Sequence, residues 1–134
     1  MIITKGDTKI WRFRFLEENS DVIIGIVNST KRDKHAKGLS PFMHSMDFDS
    51  CGIYTKDGRI YSCKIDEYEK DYATRCDMND ILTMTLDMTG DEYGTVSFKM
   101  NDTDYGIAFD KIDVNKTYCM ALSMFHPERV QLLE

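Results

Sequence analysis

The sequence predicts an all-β chain: an antiparallel sandwich of two sheets with little helix. Three observations predict it. Large apolar residues recur at every second position over most of the chain, the spacing of half-buried strands. Turn-forming groups such as Asp57-Gly58, Thr89-Gly90-Asp91, Asn101-Asp102 and Asp110 to Asn115 break these runs at short intervals. The 134 residues, 42% hydrophobic and 30% charged, suit a single domain over residues 1–134 that can bury its own core. Only 2 prolines and 8 glycines argue against a long linker. Many short strands at even spacing favour Greek-key-like links between the two sheets.

Along the chain, Trp11, Phe13 and Phe15 alternate with Arg12 and Arg14 as a first strand. Val22 to Val27 is apolar throughout except for Gly25, and it has strand length, far below the ~18 apolar residues of a membrane span. Lys5, Gly6, Asp7 and Lys9 interrupt any signal-peptide core, so an intracellular, cytoplasmic chain away from membranes is expected. Ser29 to Phe48 has no period, and so long a loop in a compact domain is functional or partly structured. Gly52–Thr55 and Arg59–Cys63 read as a hairpin turning at Asp57-Gly58, where glycine supplies a positive φ. Ile65 to Tyr72 is long enough for a turn or two of helix but lacks an apolar stripe. Period two returns at Leu82, Met84 and Leu86, at Val96, Phe98 and Met100, at Met120, Leu122 and Met124, and at Val130 and Leu132.

The net charge of −6 should repel nucleic acid and anionic lipid. The charge is uneven, however. Lys5, Lys9, Arg12, Arg14, Lys31, Arg32, Lys34 and Lys37 make the first 37 residues basic, whereas acids dominate from Asp66 to Asp113. Such charges commonly just keep loops solvated; the sharper reading makes Lys31-Arg32-Asp33-Lys34 a basic rim for an acidic partner. Cys51, Cys63, Cys76 and Cys119 form no C-x-x-C pair and read as reduced, small buried hydrophobes. His44 and His126 have no zinc-ligand spacing, so no metal or other cofactor is expected. Asp47 to Gly52 imitates an EF-hand start but meets Gly58 where a bidentate Glu is required. No phosphate loop, dinucleotide fingerprint, nucleophile elbow or H-E-x-x-H pattern is present, and no pattern joins a histidine to a nucleophile. No catalytic residue is assigned.

The stretch from Asp80 to Leu132 is the most informative. Asp80-Ile81-Leu82-Thr83-Met84-Thr85-Leu86-Asp87 is a strand closed by acids at both ends. After a turn come Gly94-Thr95-Val96-Ser97-Phe98, then Asn101, then Gly106-Ile107-Ala108-Phe109. In order and spacing this resembles the core signature of the SPRY (B30.2) domain family. Thr117 to Met124 and Arg129 to Leu132 resemble that family's two closing strands. Trp11 to Phe15, Ile24-Gly25-Ile26 and the Gly52–Tyr61 hairpin resemble its earlier ones, so the resemblance spans about residues 9 to 133. Physics explains the same residues as fold. Gly94 and Gly106 suit tight turns or close backbone approach, and Asp80 and Asp87 can cap the turns beside their strand. Truncating Phe98 or Phe109 to Ala should cost about 3–5 kcal/mol.

The resemblance implies a SPRY/B30.2-like sandwich of concanavalin-like jelly-roll type, in a minimal form without the N-terminal PRY segment. It implies either a stand-alone protein or an excised domain. It also implies a non-catalytic, monomeric adaptor that binds a peptide or protein surface through loops at one edge, as target-recognition or scaffold part of a ubiquitin-ligase-type assembly. The family's ligand-packing aromatic falls at Phe125, next to His126, although Phe125 reads equally as a core aromatic at a strand end. The loop after the Gly25 strand adds Ser29, Thr30, Lys31, Arg32 and Lys34. The rival reading is a small phosphate-bearing ligand held by Lys31, Arg32, Lys34 and Lys37 with His35.

Overall fold

Alternation of large apolar with polar side chains draws the chain into strands because one face of each can then leave water. The computed structural model describes residues 2–18, 21–29, 50–63, 69–124 and 129–133. Among them lie β1 (Thr8–Phe15), β2 (Val22–Asn28), β3 (Ser50–Tyr54), β4 (Ile60–Cys63), β5 (Glu69–Lys70), β6 (Ile81–Asp87), β7 (Tyr93–Met100), β8 (Thr103–Asp113), β9 (Tyr118–Met124) and β10 (Val130–Leu133). They form two five-stranded sheets, ordered β10-β1-β6-β7-β8 and β5-β4-β3-β2-β9. Every pairing is antiparallel. The expected all-β, two-sheet sandwich is the observed fold.

Register stacks the apolar positions into layers. Trp11 faces Met84 and Met84 faces Phe98, while Phe13 faces Leu82 and Leu82 faces Met100. The second sheet answers with Ile24, Ile26, Cys51, Ile53 and Ile60, and one buried cluster joins the two sheets. Phe98 and Phe109 lie in it on neighbouring strands, as expected.

The acids flanking β6 cap turns. Asp80 Oδ2 accepts from the Asp77 backbone N–H at 2.7 Å, and its Oδ1 from Asn101 Nδ2 at 3.0 Å. Asp87 Oδ1 accepts from the Thr89 backbone N–H at 2.9 Å and from the Thr89 hydroxyl. These bonds, the Thr89 hydroxyl first, hold the Asp87 carboxyl below its ordinary range. Gly106 takes φ +80°, and a Cβ on Gly94 would lie 2.4 Å from the Asp87 carbonyl oxygen, so each expected glycine role is met.

Two local expectations change. The β3–β4 turn keeps Gly58 at φ +76°, but Tyr54 N–H bonds the Arg59 carbonyl, so the connection spans Thr55 to Arg59. It is wider than a tight hairpin because the chain before β6 docks on it: Ala73 N–H bonds Gly58 and Cys76 N–H bonds Thr55. Within Ile65–Tyr72, Glu69–Lys70 pairs with β4 as a short strand rather than forming helix, since Ile60 and Tyr61 offer it a free sheet edge. Residues 64–68 lie outside the described residues.

Candidate loop-borne binding site

Ser29 follows β2, where its N–H donates to the Thr117 carbonyl at 2.9 Å and its hydroxyl meets the Thr117 hydroxyl. It is the only expected site residue among the described ones. Thr30, Lys31, Arg32 and Lys34, with His35 and Lys37, lie outside them, as do Phe125 and His126. The points where the two loops leave the sheet are nonetheless defined. In the β2–β9 register Val22 faces Met124 and Asn28 faces Tyr118. Met124, the last residue of β9, therefore lies beside the start of β2, and Asn28, the last residue of β2, lies about 20 Å along the pair at the strand rise of ~3.3 Å.

The end that carries Met124 is built from polar residues that sequence reasoning did not single out. Thr55, fully buried, accepts from Val22 N–H through its hydroxyl at 3.1 Å and donates its own N–H to Val22 at 2.9 Å. Tyr54 donates its hydroxyl to Asp21 Oδ1 and stands edge-on to Tyr61, ring centroids 6.3 Å apart. Burial first, then the Asp21 carboxylate, keeps the Tyr54 phenol protonated well above its ordinary range. Arg129 Nε donates to Glu17 Oε1 at 3.0 Å, and Leu16 N–H bonds the Arg129 carbonyl, anchoring the chain where the β9–β10 connection re-enters the fold. Period two was the available signal. Tyr54 and Tyr61 alternate with core-facing Ile53 and Ile60, so both belong to the outer face of this hairpin.

A second polar knot ties the first sheet. Tyr72 accepts from Phe98 N–H at 3.2 Å and donates to the Gly106 carbonyl, beside the bulges where β7 and β8 shift register. Its ring packs on Phe98 and Tyr105, and burial pushes its phenol up to about 12. Tyr72 acts as a structural brace.

Burial also pushes the thiols of Cys51 and Cys76 up, which leaves them protonated and poorly nucleophilic, as small core residues. Among the described residues no group of three His, Cys, Asp or Glu side chains gathers at metal-binding distance, and no helix is long and apolar enough to cross a membrane. The described surface carries phenols, carboxylates and cations at the ends and outer faces of the sandwich.

No protein-family profile matches the chain, and no curated protein matches its sequence. Solved structures do. A crystal structure of a human SPRY domain is similar with a TM-score of 0.56 at 12% sequence identity, over 98% of this chain and 93% of that one. The chain has a SPRY/B30.2-like sandwich fold.

Proposed function

From that likeness we propose that the chain works as a non-catalytic, monomeric SPRY-type recognition module in the intracellular space. In this reading it binds a short peptide or a protein surface, as the target-recognition or scaffold part of a ubiquitin-ligase-type assembly. The observation that carries the reading is the end-to-end likeness to a SPRY domain, which takes in 98% of this chain. Rigid sheets with variable loops suit recognition because the scaffold fixes loop ends while the loops change freely.

Two loop groups are the proposed contacts: Ser29, Thr30, Lys31, Arg32 and Lys34 after β2, and Phe125 with His126 after β9. Since their strand ends lie at opposite ends of the β2–β9 pair, the test edits them separately. Affinity capture from cell lysate would compare wild type, Phe125→Ala, and Lys31→Glu with Arg32→Glu, with circular dichroism verifying that each variant folds. Loss of a specific partner in one variant assigns the site to that loop. Full retention in both overturns the placement. If no variant, wild type included, captures a partner, while phosphorylated metabolites raise the melting temperature and Lys31→Glu with Arg32→Glu abolishes that shift, the anionic-ligand reading replaces this one.

A further inference from the structure

The outer face of the β10-β1-β6-β7-β8 sheet carries a patch that the loop-borne site leaves unused. With Trp11, Phe13 and Phe15 in the core, the alternate positions Ile10, Arg12 and Arg14 belong to the opposite face. Register continues that face across the sheet. Arg12 stands opposite Thr83 and Thr83 opposite Lys99. Two residues along, Ile10 faces Thr85, Thr85 faces Ser97, and Ser97 faces Ile107. The first row thus carries Arg12 and Lys99 two strands apart, between Leu133 on β10 and Asp104 on β8, and the next runs from Ile10 to Ile107. With strands ~4.8 Å apart, the Arg12 and Lys99 backbones lie about 10 Å from each other, and the rows about 7 Å.

Ile10 is 45% exposed and Ile107 60%, while Arg12 and Lys99 are exposed and Arg14 half-buried. None of the three cations makes an ion pair among the described residues. Carboxylates stand at the margins and are engaged locally: Asp104, opposite Lys99, accepts from Gly106 N–H at 2.8 Å, and Asp87 accepts from Thr89.

We propose that this face docks an extended acidic polypeptide segment of another protein. Its carboxylates would lie over Arg12, Arg14 and Lys99, and its apolar side chains against Ile10 and Ile107. Charge complementarity selects this occupant. A chain of net charge −6 repels a broad polyanion such as nucleic acid or an anionic bilayer, whereas a segment a few residues wide meets chiefly the cations. The hydroxyls of Thr83, Thr85 and Ser97 within the rows can donate to carboxylates or accept backbone N–H groups.

The test is fluorescence anisotropy of a fluorescein-labelled peptide rich in Glu with interspersed Leu, against the same peptide with Gln for Glu. The full chain should bind the Glu peptide saturably and more weakly as salt rises. Arg12→Glu with Lys99→Glu should weaken binding roughly tenfold or more, with an unchanged melting temperature because both side chains are exposed. Lys56→Glu with Arg75→Glu, two exposed cations outside this face, should leave binding unchanged. Equal affinity for the Gln peptide, insensitivity to Arg12→Glu with Lys99→Glu, or an equal loss in the Lys56 and Arg75 variant would each overturn the proposal. So would a failure to bind the Glu peptide, whether or not Arg12 and Lys99 then prove to hold phosphatidylserine vesicles or a second copy of the chain.

Discussion

On the outer face of the second sheet, Ile23 and Val27 are only 1% and 2% exposed, whereas Ile10 and Ile107 on the outer face of the first stand largely in water. Both sheets contribute to one core on their inner sides, so the difference lies entirely on their backs. Along β1, β6 and β7 apolar residues alternate with Arg, Thr, Ser and Lys, and only one face is hidden. Along β2 all seven residues are buried, and Val27 packs with Cys119 and Ala121 in a separate cluster behind the sheet. A strand hidden on both faces reads as an unbroken apolar run, because neither face tolerates a polar side chain. The first sheet therefore has a solvent face available for contacts, while along β2 the back of the second sheet is hidden.

The contrast can be broken most severely at Gly25. A Cβ there would lie 1.9 Å from the Cys51 carbonyl oxygen, so Gly25→Ala must push β2 and β3 apart. Urea denaturation should show a loss of about 3 kcal/mol or more. Next comes a matched pair. Ile23→Ala should cost about 2–5 kcal/mol, and Ile10→Ala no more than about 0.5 kcal/mol; equal losses would mean that the two backs are alike after all. Tyr72→Phe removes the hydroxyl that joins Phe98 to Gly106 and should cost about 1–2 kcal/mol. The same phenol gives a pH signature. Its folded pKa is raised, so its contribution is complete below the ordinary value near 10 and is lost as pH climbs from 10 towards 12. The urea midpoint of wild type should fall through that window, and that of Tyr72→Phe should fall less. The smallest effect belongs to Asp87 at the corner of the solvent-facing sheet. Its lowered pKa means stability that is present above about pH 4 and fades as pH drops below it, a slope that Asp87→Asn should flatten slightly.

The strands were legible where their pattern is local. Trp11, Phe13 and Phe15, or Leu82, Met84 and Leu86, declare a buried face within a few residues of chain. The alternation read at Met120 and Leu122 is partial, because β9 also buries Cys119 and Ser123 on its other side. The pairing was not legible. That β1 lies between β10 and β6, and β2 between β3 and β9, depends on contacts between residues far apart in sequence, which no local period encodes. The candidate site was legible only as residues that follow two strands, and the β2–β9 register adds that the last residues of those strands, Asn28 and Met124, lie at opposite ends of the pair. The widened β3–β4 turn has a similar origin, in bonds from Ala73 and Cys76 that arrive from a distant segment.

The position of β1 also bears on how the protein is made. Its edge partner β10 begins at Val130, and the partner of β2, β9, begins at Tyr118. A ribosome adding ~5–20 residues per second therefore releases two strands with large apolar side chains and leaves each without one neighbour for several seconds or longer. During that interval the meander β6-β7-β8, whose partners are adjacent in sequence, can form on its own. Nascent β1 and β2 are then the natural targets of chaperones that bind extended apolar chain.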